Sequence, residues 1–241
     1  MKKAIPYILS GFLLVYLIIV LTFASTSLHE VKCRGIQVSV DDSEENVFIE
    51  EEDVMQVIRK CYKDLEKMTL TSIDKDNLEH ILCRNTTIKS AQVYYSLDGY
   101  IHVGITQRKP VLRVFSGKGY YVDEEGKIMP LSSKYTSRVV VATGHISSQY
   151  ACEKLYPFVM YLRDHEFWNA YVEQIIVGHG DEVTLIPKVG NFRIVLGKLE
   201  EVEEKMDKLR LFLDKGINLK GWNTYKEINL KYKNQVVCVK R

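Results

Sequence analysis

The sequence predicts an α+β chain in three parts: an N-terminal transmembrane helix, a β-α-α-β-β unit, and a β-rich domain with flanking helices. Three observations carry this expectation. An uncharged apolar run fills residues 4–24, a hairpin pattern at 93–105 follows two stretches of helical spacing, and Pro110 interrupts the strand pattern before short apolar strands recur to the C-terminus.

No charged side chain occurs from Ala4 through Leu28. At a rise of 1.5 Å per residue, about twenty apolar residues reach roughly 30 Å, the thickness of a bilayer's hydrocarbon core. Only a helix satisfies its own backbone there, and Pro6 falls in the first turn, where a missing N–H costs little. A cleaved signal peptide would have a shorter apolar core and a small-x-small cleavage site. Phe23-Ala24-Ser25-Thr26-Ser27 offers a poor one, so an uncleaved anchor is expected. Lys2 and Lys3 in a three-residue tail fit an inside N-terminus, although Lys32 and Arg34 weaken the charge bias. The expected organisation is a tail at 1–3, a span at 4–24, a linker at 25–32 and two exported domains, 33–109 and 110–241.

Composition narrows the function. The 33 basic and 31 acidic residues, with Lys2 and Lys3 ahead of the run, leave the exported part with no formal net charge. The two signs are interleaved, which argues against the basic footprint of a nucleic-acid binder. Cys33, Cys61, Cys83, Cys152 and Cys238 are scattered, odd in number and never paired as C-x-x-C. Small buried hydrophobes are the expectation, with one bridge from Cys33 to Cys61 or Cys83 left open.

Taken in order, Cys33–Val40 alternates as a strand and ends at Asp41-Asp42-Ser43. Acidic residues at 50–53 then open a helix carrying Val54, Val57, Ile58 and Cys61. Asp74 is the expected N-cap of a second helix, with Leu78, Ile81 and Leu82 facing inward to Cys83. Val93, Tyr95 and Leu97 alternate into Asp98-Gly99, read as a type I′ turn, and Ile101, Val103 and Ile105 alternate back. His102 lies on the opposite, solvated face. Strand, two helices and hairpin make a three-stranded sheet with both helices on one face.

After Pro110, strands are expected at 111–115, 120–122 and 139–141, the last ended by Gly144. A helix at 148–165 should kink at Pro157. Segments 175–177, 183–186 and 192–196 form a meander. Leu199, Val202, Met206, Leu209, Phe212 and Leu213 mark an amphipathic helix stopped by Gly216, with Glu200, Glu203, Glu204, Asp207 and Lys208 outside. Strands at 225–232 and 235–239 close the chain around Lys233-Asn234.

Chemistry is not encoded in any motif. There is no G-x-S-x-G, H-E-x-x-H or phosphate loop, and the six histidines lack ligand spacing. Asn85-Thr86-Thr87 is a glycosylation sequon, a pattern common by chance. The expectation is a non-enzyme with no cofactor and no metal. An open strand edge at the C-terminal end, able to recruit a partner strand, is the alternative to catalysis, and Gln235–Val239 reads equally as an interior strand.

Two ordered stretches point to a family. Val103-Gly104-Ile105-Thr106-Gln107-Arg108-Lys109-Pro110 matches the pattern V-x-V-x-E-R-x-P, with Ile105 for its second valine and Gln107 in place of its glutamate. Gly119-Tyr120-Tyr121-Val122-Asp123-Glu124-Glu125-Gly126-Lys127-Ile128-Met129-Pro130-Leu131-Ser132 follows G-x-x-V-D-x-x-G-x-x-M-P-L-S. The chain thereby resembles the FtsQ/DivIB family of bacterial cell-division proteins. The resemblance implies a POTRA domain at 33–109, the family's β domain at 110–241, and a non-catalytic role at the septum with the single-span proteins FtsB and FtsL. It also implies a partner surface near the C-terminus, where the family's Arg-Tyr pair becomes Lys231-Tyr232 and its Asp becomes Asn229. The partner-binding residues so implied are Lys231, Tyr232, Asn234, Val236 and Cys238. A POTRA-bearing membrane-biogenesis chaperone and an anchored cell-wall enzyme are the rival readings.

Overall fold

A computed structural model describes residues 11–21, 31–41, 47–96, 98–217 and 221–241. Of the expected span at 4–24, residues 11–21 are helical and expose their large apolar side chains; the rest lies outside the described residues. Among the described residues no helix is long and apolar enough to cross a membrane. The chain divides into two compact units, 1–107 and 108–241.

The first unit runs β1 (Gly35–Val40), α1 (Glu51–Cys61), α2 (Lys75–Cys83), β2 (Ile88–Tyr95) and β3 (Tyr100–Gln107). Its sheet has the order β1-β3-β2, with β1 parallel and β2 antiparallel to the central β3. Period-two alternation puts Ile101, Val103 and Ile105 of β3 on the buried face, and Val54, Ile58, Leu78 and Leu82 of the helices pack into the same core. Asp74 caps α2 by accepting from the Asn77 N–H at 3.0 Å. Tyr94 stacks on His102 across the other face, at 4.9 Å between ring centres.

The hairpin differs from the expected type I′ turn. Ser96 N–H donates to Tyr100 O at 2.9 Å and Gly99 N–H to Ser96 O at 3.1 Å, with Gly99 at φ 94°. The connection is therefore the three-residue kind, in which glycine follows the turn instead of sitting inside it. Leu97, part of that expectation, lies outside the described residues. All five cysteines are free. Only Cys33 is buried; Cys61 and Cys83 are exposed, because each ends a helix at its solvent side.

Among its described residues the second unit builds one nine-stranded sheet, in the order β12-β11-β10-β9-β8-β7-β4-β5-β6. The strands are β4 (Pro110–Phe115), β5 (Tyr120–Asp123), β6 (Ile128–Met129), β7 (Val140–Gly144), β8 (Val172–Val177), β9 (Val183–Pro187), β10 (Arg193–Gly197), β11 (Tyr225–Asn229) and β12 (Val237–Lys240). Pro110 opens β4 instead of lying outside it, a first-residue position a proline tolerates. The expected meander is present as β8, β9 and β10, each antiparallel to the next.

Two helical crossovers are parallel. The first joins β7 to β8 and the second joins β10 to β11, as strands running the same way require a long connection between them. The first crossover holds α3 (Ser148–Tyr150, Ala151–Leu155, Tyr156–Asp164) and α4 (Glu166–Tyr171). Instead of a kink, Pro157 follows a π turn at Ala151–Leu155, where Tyr156 N–H reaches back to Ala151 O. The wide turn accommodates the ring and the absent donor. The second crossover holds α5 (Val202–Leu211), continued by a π turn at Phe212–Ile217. Gly216 does not stop it, since the buried Ile217 pulls the chain one residue further into the core.

One row of side chains explains the whole layer. Val114, Ala142, Ile175, Leu185, Ile194, Ile228 and Cys238 sit opposite one another from β4 to β12, and all seven belong to or pack against the core under the helices.

Candidate partner-binding edge

β12 is the last strand of that sheet. It pairs antiparallel with β11 in the register Glu227↔Val239, Ile228↔Cys238 and Asn229↔Val237, with a bulge toward Tyr225. On its other side no strand follows among the described residues. Its outer N–H and C=O groups therefore form an edge of the kind that a further strand can extend.

Alternation decides which side chains flank this edge. Ile228 is fully buried, so its partner Cys238 faces the core, and Val236 packs there as well. Burial pushes the Cys238 thiol above its ordinary pKa. Val237 and Val239 face outward, each 38% exposed. Strand pairing leaves them as the apolar pair on the free face of the edge.

β11 ends sooner than the spacing predicts. The Asn229 side chain accepts the Lys231 N–H at 3.0 Å, and this local bond draws the chain off the ladder before Tyr232. Lys231, Tyr232, Lys233 and Asn234 thus form a turn. Asn234 takes a left-handed backbone (φ 59°), which asparagine tolerates better than most residues.

Three cations tie the turn down. Lys231 Nζ lies 3.1 and 3.2 Å from the two carboxylate oxygens of Glu182. Lys233 Nζ lies 2.9 Å from Glu201, and this hydrogen bond holds the Glu201 carboxyl below the usual carboxylate range. Lys208 Nζ of α5 donates to the Tyr232 carbonyl at 3.2 Å. Both ion pairs are solvent-facing, so they steer the turn more than they stabilise it. With its backbone held in this way, Tyr232 is 49% exposed.

The structure therefore brings Lys231, Tyr232 and Asn234 together in one turn. It places Val236 and Cys238 on the inward face of the strand beside it. Val237 and Val239 were not singled out by sequence, because Val236-Val237-Cys238-Val239 is apolar throughout and carries no alternation to set its parity. Lys231 already has a carboxylate partner within the chain, so an acidic partner would have to compete with Glu182.

The two quoted family stretches also meet. Arg108 Nη1 contacts Asp123 Oδ2 at 2.6 Å, and Asp123 is 2% exposed. The other carboxylate oxygen accepts from Glu125 N–H at 2.9 Å and Lys127 N–H at 2.8 Å, closing the β5–β6 turn. One buried carboxylate thus joins the start of β4 to the end of β5.

Comparison with known families follows the same division. The family described as FtsQ/DivIB, C-terminal related matches residues 109–239, and the POTRA-like domain matches residues 31–106. No curated protein matches the chain. With one family spanning more than half of its length and the other covering the unit before it, the chain belongs to the FtsQ/DivIB family.

Proposed function

We propose that this chain is a non-catalytic, membrane-anchored scaffold of the bacterial divisome that captures an FtsB-like partner by strand addition along β12. The observation that carries the reading is the position of β12 as the terminal strand of a nine-stranded sheet, with Val237 and Val239 exposed upon it. Backbone pairing supplies the affinity in this mode, and the flanking side chains supply the specificity. Tyr232 is the aromatic anchor, and Lys231 exchanges Glu182 for an acid of the partner. Of the five expected residues, Lys231, Tyr232 and Asn234 supply exposed side chains to the proposed surface; Val236 and Cys238 face the core and contribute through their backbone alone, and Val237 and Val239 take their place as flanking side chains.

The anchor is the run at 4–24, supported by the helical, apolar and exposed residues 11–21. It holds residues 33–109 and 110–241 as two extracytoplasmic domains at the plasma membrane, enriched at the division septum. Together with FtsB-like and FtsL-like single-span proteins, the chain links early septal-ring proteins to septal peptidoglycan synthesis.

Truncating a central aromatic anchor typically costs about 2 kcal/mol or more. Tyr232→Ala in the full-length chain is therefore expected to weaken FtsB binding about thirtyfold, since 1.4 kcal/mol is a factor of ten. Co-purification titrated against partner concentration measures it. Recovery of FtsB at the unmodified level, with the variant still folded by circular dichroism, removes this surface from consideration.

A further inference from the structure

The helical layer carries a groove of about 620 Å³ between α3 and α5. Its floor is apolar: Phe158 and Tyr161 from α3, with Leu199 and Val202 at the start of α5. Tyr161, Leu199 and Val202 pack on the core from one side and stay partly open on the other. The rim is acidic, with Glu153 on α3 and Glu201, Glu203 and Glu204 at the entry to α5. Lys154 is the one cation among the lining residues.

Two helices that meet over a sheet normally close the space between them with complementary side chains. Here the π turn at Ala151–Leu155 widens α3 just before Pro157 lines the groove. Across from it Glu201 enters α5 in a left-handed conformation (φ 49°, ψ 43°) and caps none of the helix's N–H groups with its side chain. The concentration of negative charge has a visible effect on the floor. Burial first, then the Asp207 and Glu203 carboxylates, hold the Tyr161 hydroxyl above its ordinary pKa.

We propose that this groove docks a basic amphipathic helix of a partner protein, its apolar residues at i, i+3 and i+4 seated on Tyr161, Leu199 and Val202 and its lysines or arginines paired with the glutamate rim. Charge complementarity selects this occupant: an acidic segment is repelled, and so is an anionic lipid surface. Glu201 and Glu204 already face Lys233 and Lys208, so the exposed Glu153 and Glu203 are the rim carboxylates that a basic partner meets. The site is separate from the strand-addition surface and does not depend on it, although Lys233 of the β11–β12 turn reaches Glu201 at one end of the rim.

The test uses the full-length protein in zwitterionic nanodiscs and two synthetic peptides of about eighteen residues, long enough to be helical. One is an amphipathic Leu/Lys peptide, the other its Leu/Glu counterpart. Binding of the Leu/Lys peptide above that to empty nanodiscs is expected, with zero-length carbodiimide cross-links mapping to Glu203, Glu204 or Glu153. The exposed double substitution Glu153→Lys/Glu203→Lys should weaken binding about tenfold or more, whereas Glu51→Lys/Glu52→Lys on α1 should not. Equal binding by the groove variant, equal binding by the Leu/Glu peptide, or cross-links confined to other carboxylates would each overturn the proposal.

Discussion

Gln107 shows how a single residue departs from its family's pattern for a local reason. The family has glutamate here, yet the Gln107 side chain is 2% exposed and uses both ends of its amide. Its oxygen accepts the N–H groups of Phe48 and Ile49, each at 3.1 Å, and its nitrogen donates to Asp41 O at 3.1 Å. The orientation of the amide follows from those partners, since two donors must meet the oxygen and a carbonyl must meet the nitrogen. A glutamate would keep the two accepted bonds but set an oxygen against the Asp41 carbonyl inside the protein. Gln107→Glu should therefore destabilise the fold by about 1–3 kcal/mol, the cost of a buried polar group facing the wrong partner. The urea midpoint of the full-length chain measures this, and an unchanged midpoint would mean that the loop before α1 does not rely on the amide. Sequence marks the position as a departure but cannot reveal its cause, because its partners lie some sixty residues earlier in the chain.

Elements that depend on nearest neighbours are the legible ones. Asp74, three residues before Asn77 and four before the buried Leu78, is readable as an N-cap from local chemistry, and the structure puts it there. Asp74→Ala should cost about 1 kcal/mol of stability. Hydrogen exchange should then accelerate first at the N–H groups of the α2 amino end; uniform exchange along α2 would mean that packing of Leu78 and Leu82 alone sets the helix boundary. Features that depend on distant contacts are not legible. Both π turns are invisible in the spacing of apolar residues, because each exists to fit a ring or a core residue that the rest of the unit supplies. α4 is missed for a related reason: its six residues, rich in aromatics, are held by Trp168 and Tyr171 entering the core and not by helical periodicity. The β12 edge sits between these cases. A strand there is readable from an apolar run after a turn, but its place at the end of the sheet order comes from the strand pairing, and which valines face solvent is decided only when Ile228 fixes Cys238 opposite it.

At the scale of the molecule, strand order was beyond reach of the sequence, since nothing in the spacing says that β7 inserts between β4 and β8 or that β11 follows β10 in parallel. What spacing does carry is the count of apolar faces needing cover, and that maps onto two cores without a shared residue. One holds Val54, Ile58, Leu82 and Ile105; the other holds Leu112, Ile175, Leu185 and Leu209. Each core has its own sheet and its own covering helices, so each unit carries the burial that stabilises it. Core truncations should then act within one unit. Ile105→Ala removes a fully buried side chain from β3, and Leu185→Ala removes one from β9; each should cost about 2–5 kcal/mol. Hydrogen exchange of the full-length protein distinguishes the outcomes. Ile105→Ala is expected to accelerate exchange throughout β1, β2 and β3 while β8, β9 and β10 keep their protection, and Leu185→Ala is expected to do the reverse. Equal acceleration of both sheets by either substitution would show that the two cores melt as one cooperative body, and the division at 107 and 108 would then carry no energetic meaning.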